Sequence, residues 1–387
     1  MNLKNTHIAI VGGGPGGLTL ARLLQMQGAI VQVYERDLNR SARLTGSPLD
    51  MHETSGLAAL RAAGLLEAFK AAFRPGADKT VLTNRQAEVV YSDHAVASAA
   101  FGNAHFRPEI DRGPLRDLLL NSLLPQTVVW DRHFTAMQPQ DSGWQLQFKN
   151  GATAYADLVV AADGANSKIR PYVTGITPFY TGITMLEGRI PDAASAVPHF
   201  HQLLDGGKIM AFGDAKCILG GQKGNGELGF YLSLKKPEDW AATNGINYAD
   251  PIQLQAWFQE EYAGWSPLWQ QLFGRDSAPL IPRLIYCMPL RQSWETRSNV
   301  TLLGDAAHVM PPFAGEGANM AMLDALELSS ALASDSHHSL EEALSFYEES
   351  MRERGALAAG ESLENGERMH AADSLDTMLR FFGLHTV

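Results

Sequence analysis

Three glycines with the spacing of a phosphate-binding turn follow the first apolar run of the sequence. His7–Val11 is rich in β-branched and apolar residues, Gly12–Gly17 contains the pattern G-x-G-x-x-G, and Leu18–Met26 has leucines at helical spacing. In such a strand–turn–helix unit the glycines permit a tight turn, backbone approach to a pyrophosphate and close helix packing. The helix N-terminus adds partial positive charge that attracts anions. The residues that this pattern predicts to contact a dinucleotide are Gly12, Gly14, Pro15, Gly16 and Gly17.

A carboxylate closes the second strand of the same unit. Gly28 ends the helix, Ala29–Tyr34 is the next apolar run, and Glu35 follows at the position expected for a carboxylate that binds a ribose diol. Arg36 comes next and suits either the 2′-phosphate of NADP or an adenine ring. Because both kinds of cofactor fit this pattern, the turn by itself leaves FAD and NAD(P) open.

Two later strands also end at acidic residues. Leu158–Ala162 leads into Asp163, and Asn299–Leu303 leads through a glycine into Asp305. Acidic residues at the carboxyl ends of parallel strands lie where ligands bind in this architecture. Either motif alone would also fit a helix N-cap, since aspartate is common there. Combined with the glycine-rich turn, they favour a flavin nucleotide, with Asp305 as the acceptor of a ribityl hydroxyl.

Composition and charge exclude several functions. The chain has 387 residues, 45% of them hydrophobic and 19% charged, which fits a folded protein of two or three domains. Its net charge of −11 argues against a nucleic-acid partner, because such partners require a basic surface. An apolar run of about 18 residues and a signal peptide are both lacking, so neither a membrane span nor secretion is expected. The two cysteines, Cys217 and Cys287, exclude a disulfide scaffold and suit the cytoplasm.

The remaining elements predict a nucleotide-binding sheet that a second sheet interrupts. Before the second sheet, helices are expected at Glu53–Phe69 and Gly113–Leu124, and strands at Val128–Asp131 and Trp144–Phe148. From Phe179 to Leu234, short apolar runs separated by glycine pairs are typical of an antiparallel meander. Its predicted strands are Gly182–Ile190, His199–Leu204, Lys208–Phe212, Cys217–Gly220 and Leu228–Leu234. The last part, Ser339–Leu384, is predicted to be mostly helical.

Taken together, these motifs resemble a known family. The N-terminal G-x-G-x-x-G, the central Asp163-Gly164 and the C-terminal Gly304–His308 are similar to those of the single-component aromatic flavoprotein monooxygenases, the hydroxybenzoate-hydroxylase-like group. Within that group, the chain resembles the tetracycline-inactivating monooxygenases over essentially its whole length. The segments that carry this closer resemblance are Tyr34–Asp37, Leu49–His52, Pro108–Arg112, Trp130–Arg132 and, most specifically, Gly304–Gly317.

The resemblance implies an α/β fold in which an antiparallel β-sheet substrate domain is inserted into a Rossmann-like FAD-binding domain, followed by a long C-terminal helix. The FAD-binding domain is expected at residues 1–175 and 285–335, and the β-sheet domain at residues 176–284. Residues 336–387 would form a C-terminal helical segment that bridges the two domains. A monomer is expected.

The resemblance also implies chemistry that the cofactor performs. FAD would be bound non-covalently and NAD(P)H would visit transiently, because the chain has a single dinucleotide fingerprint. After reduction, O₂ would form a hydroperoxide at flavin C4a, from which one oxygen atom passes to an electron-rich phenol or enol. The protein would position the substrate and exclude water, so no catalytic side chain is nominated. His308 is interpreted as a packing or capping residue, and no metal site is expected.

Residue roles follow from the resemblance by position. Asp50 would lie near the isoalloxazine, Arg112 and Arg116 would contact the flavin chain, and Asp163 would support the pyrophosphate and the approach of NAD(P)H. Small residues after Asp305 would let helix amides reach an anion that develops on the ring. Beyond the glycine-rich turn, the implied cofactor-binding residues are Glu35, Arg36, Asp50, Arg112, Arg116, Asp163, Gly304, Asp305, Pro312, Gly315, Gly317, Ala318 and Asn319.

The β-meander is expected to form the substrate wall. Where tetracycline-inactivating relatives place Gln, Arg and His, this chain has Glu187, Lys208 and Gly229, which changes charge and hydrogen bonding at three positions. Pro311 and Phe313 are expected to border the substrate beside the ring. The expected substrates are tetracycline-type antibiotics, which would make the protein a resistance enzyme. Small aromatic acids and polyketide-like phenols stay open as alternatives.

Another class of protein also has a related nucleotide fold. Proteins of the GDP-dissociation-inhibitor type are binding modules without redox chemistry, and a colourless protein that takes up no FAD would favour that alternative. The complete flavin-side sequence from Gly304 to Asn319 argues against it, because a binder without flavin has no need of that sequence. An NAD-dependent dehydrogenase lacks support, since no catalytic Lys, His, Ser or Tyr set follows a nucleotide-binding half.

Overall fold

Two large β-sheets organise the part of the chain that the computed structural model describes, residues 3–42, 46–274 and 276–384. The strands are β1 (His7–Val11), β2 (Ile30–Tyr34), β3 (Leu49–Asp50), β4 (Thr80–Asn84), β5 (Val89–Ser92), β6 (Glu109–Ile110), β7 (Val128–Val129), β8 (Phe134–Gln140), β9 (Gly143–Phe148), β10 (Thr153–Ala156), β11 (Leu158–Ala161), β12 (Phe179–Ile190), β13 (Lys208–Gly213), β14 (Lys216–Gln222), β15 (Leu228–Lys235), β16 (Ile281–Cys287) and β17 (Val300–Leu302).

Helices connect and cover these sheets. The α-helices are α1 (Pro15–Met26), α2 (Gly56–Ala62), α3 (Leu66–Ala72), α4 (Arg112–Asn121), α5 (Arg170–Val173), α6 (Ala193–Ala196), α7 (Pro198–Leu204), α8 (Trp240–Thr243), α9 (Pro251–Glu261), α10 (Asp305–His308), α11 (Gly317–Ala333), α12 (Leu340–Met369) and α13 (Ser374–Phe381). Short 3-10 helices lie at Leu3–Asn5, Pro267–Phe273 and Pro312–Ala314.

The first large sheet is parallel and has the strand order β17-β11-β1-β2-β7. Its central strands are buried on both faces, which explains why β1 and β11 are almost uniformly apolar. Because the strands are parallel, their carboxyl ends meet at one edge of the sheet. The glycine-rich turn follows β1 there, Asp163 follows β11, and Asp305 follows β17. The prediction that these three motifs share one edge is therefore confirmed.

The second large sheet has the order β16-β12-β15-β14-β13-β4-β5 and is antiparallel except where β13 pairs with β4. One of its faces packs against α7, α9 and the 3-10 helix Pro267–Phe273, around Phe200, Phe258 and Trp269. Its opposite face contacts Phe313 and the C-terminal helices. The expected α/β fold with an antiparallel sheet is confirmed. Strands β4 and β5, which precede the predicted insertion at 176–284, also belong to this sheet.

Two sequence predictions of secondary structure were wrong. The predicted helix Glu53–Phe69 is divided into α2 and α3, because the intervening Gly64 has φ +72° and ends the first helix. The predicted strand His199–Leu204 is instead helix α7. Pro198 suits the first turn of a helix, and the buried Phe200 and Leu204 are four residues apart, which places them on one helical face.

The expected long C-terminal helix is present as α12, which has 30 residues and spans about 45 Å. Ser362 of this helix donates a hydrogen bond to the Pro311 carbonyl at 2.5 Å, and Lys235 of the second sheet pairs with Glu367 at 2.7 Å. Helix α12 therefore connects the loop after β17 to the second sheet. None of the described helices is both long and apolar enough to cross a membrane.

Candidate active site

The glycines of the first turn meet different surroundings. A Cβ atom built on Gly12 would lie 2.1 Å from the Ala162 carbonyl oxygen, and one built on Gly17 would lie 2.2 Å from the Gly12 carbonyl oxygen. These two glycines are therefore required by backbone packing. A Cβ atom on Gly14 would meet nothing within 4 Å. Gly14 is thus the position where a side chain would enter open space beside the helix N-terminus rather than collide with the protein.

Helix α1 begins at Pro15, directly after Gly14. The first-turn amides of a helix lack acceptors within the helix, so those of α1 are available at the edge of the sheet. Gly16 lies instead against α11, because a Cβ atom there would be 2.7 Å from the Ala321 carbonyl oxygen. Pro15 and Gly16 therefore shape the N-terminal end of α1 and fix its packing.

Glu35 is buried beneath the turn, with 3% of its surface exposed. Its Oε2 atom accepts a hydrogen bond from the Gly13 amide at 2.6 Å, and Oε1 accepts one from the Asp37 amide at 2.9 Å. Since each carboxylate oxygen has a second acceptor site, Glu35 keeps capacity for a ribose hydroxyl while it stabilises the turn. The adjacent Arg36 is exposed.

Arg116 on α4 has an unsatisfied donor. Its Nη2 atom lies 3.1 Å from Asp37 Oδ2, and its guanidinium lies 5.3 Å from the centre of the Trp130 ring. The Nη1 atom is buried and has no hydrogen-bond partner among the described residues. A buried guanidinium nitrogen without a partner is costly, so a ligand oxygen would satisfy it. Arg112, one turn earlier, donates from Nε to the Ser47 carbonyl at 2.9 Å.

The two strand-end acids differ in their hydrogen bonds. Asp163 accepts a hydrogen bond at Oδ2 from the Lys168 amide at 2.8 Å, whereas its Oδ1 is buried without a partner in the described part of the chain. Asp305 is the first residue of α10, and a Cβ atom on Gly317 would lie 3.9 Å from its Oδ1. Burial raises the pKa of both carboxyl groups. Both positions fit hydroxyl or amide donors from a ligand.

Arg170 joins the loops that carry these acids. Its Nε atom donates to the Ala306 carbonyl at 2.7 Å, and Nη2 donates to the carbonyls of Ala165 and Asp305 at 2.9 Å each. The residue is 6% exposed. Sequence reasoning missed Arg170 because two of its carbonyl partners, Asp305 and Ala306, lie about 135 positions away, beyond any local pattern.

His308 is occupied by structural contacts. Its Nε2 atom lies 2.7 Å from Asp324 Oδ2, the same oxygen that accepts the Gly304 amide at 2.8 Å. A Cβ atom on Gly355 of α12 would lie 2.9 Å from the His308 side chain, which is 2% exposed. These contacts support the packing interpretation of His308. Gly304 itself has φ +59°, which favours glycine at the turn before Asp305.

His52 lies between two carboxylates that sequence reasoning did not connect. Its Nε2 atom is 3.0 Å from Asp50 Oδ2, and its Nδ1 atom is 3.0 Å from Glu316 Oε1. Burial alone would lower the pKa of His52, but the hydrogen bonds to Asp50 and Glu316 outweigh it and raise that pKa to about 9. Burial likewise opposes ionisation of Asp50, yet His52, Lys208 and Arg107 lower its pKa. The ring is therefore an imidazolium near neutral pH.

The Asn319 side chain joins the same loops by hydrogen bonds to their backbone groups. Its Oδ1 accepts the amides of His52 at 2.9 Å and Gly56 at 3.2 Å, and its Nδ2 donates to the carbonyls of Asp50 at 2.9 Å and Gly315 at 3.2 Å. Asn319 is fully buried, and its side chain holds these loops together. A Cβ atom on Gly315 would lie 2.9 Å from Asp50 Oδ1.

The three predicted substrate-wall residues share one face of the second sheet. Arg189, Gly229, Gly221 and Lys208 are partners in one row across β12, β15, β14 and β13, and Glu187 lies two residues from Arg189 on the same face. Glu187 pairs with Arg283 at 2.7 Å, and Lys208 forms an ion pair with Glu109.

Glu109 connects this wall to the loops near His52. It opposes Asp50 in the two-stranded pairing of β3 with β6. Lys208, Glu109, Asp50, His52 and Glu316 consequently form a continuous charged row from the sheet to α11. Burial would lower the pKa of Lys208, but the charges of Glu109 and Asp50 raise it, so Lys208 stays an ammonium.

An apolar floor adjoins this charged row. Its members are Ile183, Met185, Ile285, Leu219, Tyr231 and Phe313. Tyr231 also accepts a hydrogen bond from Ser47 Oγ at 3.1 Å, and Phe313 is only half-buried. Pro311 is buried, whereas Pro312 is exposed. A flat ring system bound here would contact apolar side chains on one face and ion-paired side chains along one edge.

A family model described as FAD binding domain matches residues 5–179 and 285–362. The chain belongs to the FAD-dependent monooxygenases of the aromatic hydroxylase type. A 3-amino-4-hydroxybenzoate 2-monooxygenase from Streptomyces platensis is 28% identical over 97% of this chain and 91% of its own length.

Solved structures show the same fold at lower identity. The chain is similar to Klebsiella pneumoniae HpxO in complex with FAD and uric acid, with a TM-score of 0.77, 21% identity, and coverage of 99% of this chain and 93% of that one. It is also similar to the tetracycline destructase Tet(55), with a TM-score of 0.76, 19% identity, and coverage of 99% and 95%. Among the described residues of this monooxygenase, no cluster of His, Cys, Asp or Glu is arranged to hold a metal ion.

Replacing Asp305 with alanine is expected to weaken FAD binding by roughly tenfold to a hundredfold, since a hydrogen bond to a charged group contributes about 1.5–3 kcal/mol. Titration of the apoprotein with FAD measures this loss, and the exposed Asp117→Ala variant serves as a control. Substrate preference should not change. A variant with normal FAD affinity and altered specificity would show that Asp305 contacts substrate instead.

Proposed function

We propose that this monooxygenase uses NAD(P)H and O₂ to hydroxylate an electron-rich phenol or enol, and that tetracycline-type antibiotics are its substrates. One observation carries the proposal. The loops around Asp50 and Gly315 lie next to the face of the second sheet that holds the apolar floor and the charged row. When bound, FAD supplies the acceptance of hydride from NAD(P)H and the activation of O₂.

The nucleotide would be held by groups at the edge of the parallel sheet. The amides after Gly14 and the free nitrogen of Arg116 suit the pyrophosphate, and Glu35 suits the ribose. Asp305 suits a ribityl hydroxyl.

The substrate would be positioned by the second sheet. The apolar floor binds fused rings and excludes water, and the Lys208 ammonium pairs with a phenolate or enolate oxygen. An ionised oxygen raises the electron density of the neighbouring ring carbons, which favours their attack on activated oxygen. The chain thereby positions the substrate, stabilises its negative charge and excludes water, rather than providing acid–base catalysis.

A second candidate substrate is a small aromatic acid. Arg189 lies on the same sheet face, is exposed, and has no acidic partner at ion-pair distance within the described ranges. A guanidinium of this kind binds a carboxylate with two parallel hydrogen bonds. The similarity to a 3-amino-4-hydroxybenzoate 2-monooxygenase supports the same candidate.

Product analysis distinguishes the two candidates. The purified flavoprotein is incubated with NADH or NADPH and with tetracycline, 3-amino-4-hydroxybenzoate or salicylate, while cofactor oxidation, oxygen uptake and hydrogen peroxide release are recorded. Tetracycline is expected to stimulate cofactor oxidation and to gain one oxygen atom by mass spectrometry. Turnover and oxygenation of the benzoates alone would replace the first candidate with the second. If none of the three compounds gave an oxygenated product, both candidates would be contradicted.

A further inference from the structure

We propose that His52 is a positioning residue that bridges Asp50 and Glu316 and thereby fixes two acidic side chains beside the flavin-facing loops. The inference rests on the flavin site of the proposed function. The ring contacts one carboxylate through each nitrogen, at 3.0 Å in both cases. Asp50 ends β3, whereas Glu316 directly precedes α11, so the imidazolium joins two segments that are far apart in the chain.

The position of this bridge gives it a role toward a bound flavin. Asp50 Oδ1 lies 2.9 Å from the point where a Cβ atom of Gly315 would stand, so the carboxylate borders the backbone that leads into α11. Glu316 Oε2 is buried and has no hydrogen-bond partner among the described residues. Without the imidazolium, two carboxylates would repel each other and any anionic ligand at this end of α11.

Charged groups from several elements surround the bridge. On the β3–β6 side, Glu109 opposes Asp50, and Arg107 Nη1 lies 3.8 Å from Asp50 Oδ2. From β13, Lys208 pairs with Glu109. The α11 side contributes Glu316. Loss of the His52 proton removes one positive charge from between Asp50 and Glu316, next to an anionic cofactor.

The direction of the pH dependence follows from the raised pKa of His52, about 9 against an ordinary value of 6.5. A group whose pKa is raised by folding contributes stability that is complete below the ordinary value and is lost as pH rises through the folded value. The bridge therefore stabilises the protein and its flavin at neutral pH. Its contribution decreases between pH 6.5 and about pH 9.

Charge-matched variants test the bridge. His52→Gln is expected to bind FAD about tenfold more weakly than the wild-type apoprotein near neutral pH, a loss that corresponds to one decade in Kd. The double variant His52→Gln with Glu316→Gln restores the net charge of the wild-type site, because it removes one cation and one anion. It should recover most of the FAD affinity. His201→Gln, a half-buried histidine beside Gln222, is the matched control and should bind FAD normally. Wild-type affinity should also fall as pH rises through about 9, and the His52→Gln variant should lack that decrease.

Nuclear magnetic resonance titration of the apoprotein tests the same bridge without flavin. The His52 ring is expected to titrate near pH 9 in the wild type and well below it in Glu316→Gln, which also serves if His52→Gln does not fold. A wild-type ring that titrates below pH 7, equal FAD affinity of His52→Gln and wild type, or no recovery in the double variant would overturn the role of His52. If the wild type bound no FAD at all, the proposed function would fail as well.

Discussion

Replacing Gly14 with valine is expected to abolish the yellow colour of the purified protein while leaving the apoprotein folded. A Cβ atom at this position meets no protein atom within 4 Å, and the backbone at Gly14 is extended, with φ −77° and ψ 178°, which valine adopts readily. The added side chain therefore obstructs the pyrophosphate and not the protein. We expect FAD affinity to fall by at least about a hundredfold, which corresponds to about 2.7 kcal/mol.

Two other glycine substitutions make this result specific. Gly175→Val places the same side chain in open space outside the nucleotide turn and should retain both flavin and stability. Gly17→Val should instead destabilise the apoprotein, because its Cβ atom would lie 2.2 Å from the Gly12 carbonyl oxygen. Visible absorption, FAD titration and thermal unfolding of the apoproteins distinguish the three cases. Normal flavin content in Gly14→Val would contradict the assignment of the phosphate site.

Arg170→Met is expected to lower the free energy of unfolding by about 3–5 kcal/mol and to release FAD. Methionine has similar reach but donates no hydrogen bond, so the buried Ala306 carbonyl and the partly buried carbonyls of Ala165 and Asp305 lose this donor. The loops after β11 and β17 then separate, and the acids Asp163 and Asp305 leave their positions. Stability and cofactor binding should therefore decrease together.

Urea unfolding of the apoprotein measures the first effect, and FAD titration measures the second. Arg40→Met is the matched control, since the Arg40–Asp117 ion pair is largely exposed and surface pairs contribute at most about 1 kcal/mol. An Arg170→Met protein whose free energy of unfolding stays within about 1 kcal/mol of the wild-type value would show that other contacts hold these loops.

The sequence predicted the parallel sheet and its ligand edge because those features depend on local patterns. The glycine-rich turn, Glu35 and Asp305 each lie at the end of an apolar strand, and parallel strands bring their carboxyl ends to one edge. Helix α7 was mistaken for a strand because the six residues His199–Leu204 fit both the strand and the helix period. Pro198 in the first turn and the burial of Phe200 and Leu204 on one face distinguish the helix, and Phe200 packs against Trp269.

The charged row could not be predicted in the same way. His52 and Glu316 are separated by 264 positions in the sequence, and Lys208 and Glu109 by 99, so no periodic pattern relates the partners. The spacing of Asp50 and His52 could have indicated that these two side chains lie together, since residues two apart in an extended chain share one face. Their partner Glu316 is brought close by the packing of α11 against α2, which is a tertiary contact that no local pattern predicts.

The pairing of β17 with β11 has a consequence for biosynthesis. Leu302 joins the parallel sheet beside Ala161, roughly 140 residues after that strand leaves the ribosome, and such distant pairing is slow. A nascent chain that lacks β17 already possesses the glycine-rich turn but not the Asp305 loop. We therefore expect the carboxyl-terminal edge of the parallel sheet to be completed late in synthesis, after the second sheet has emerged, with chaperones meeting the incomplete sheet until then.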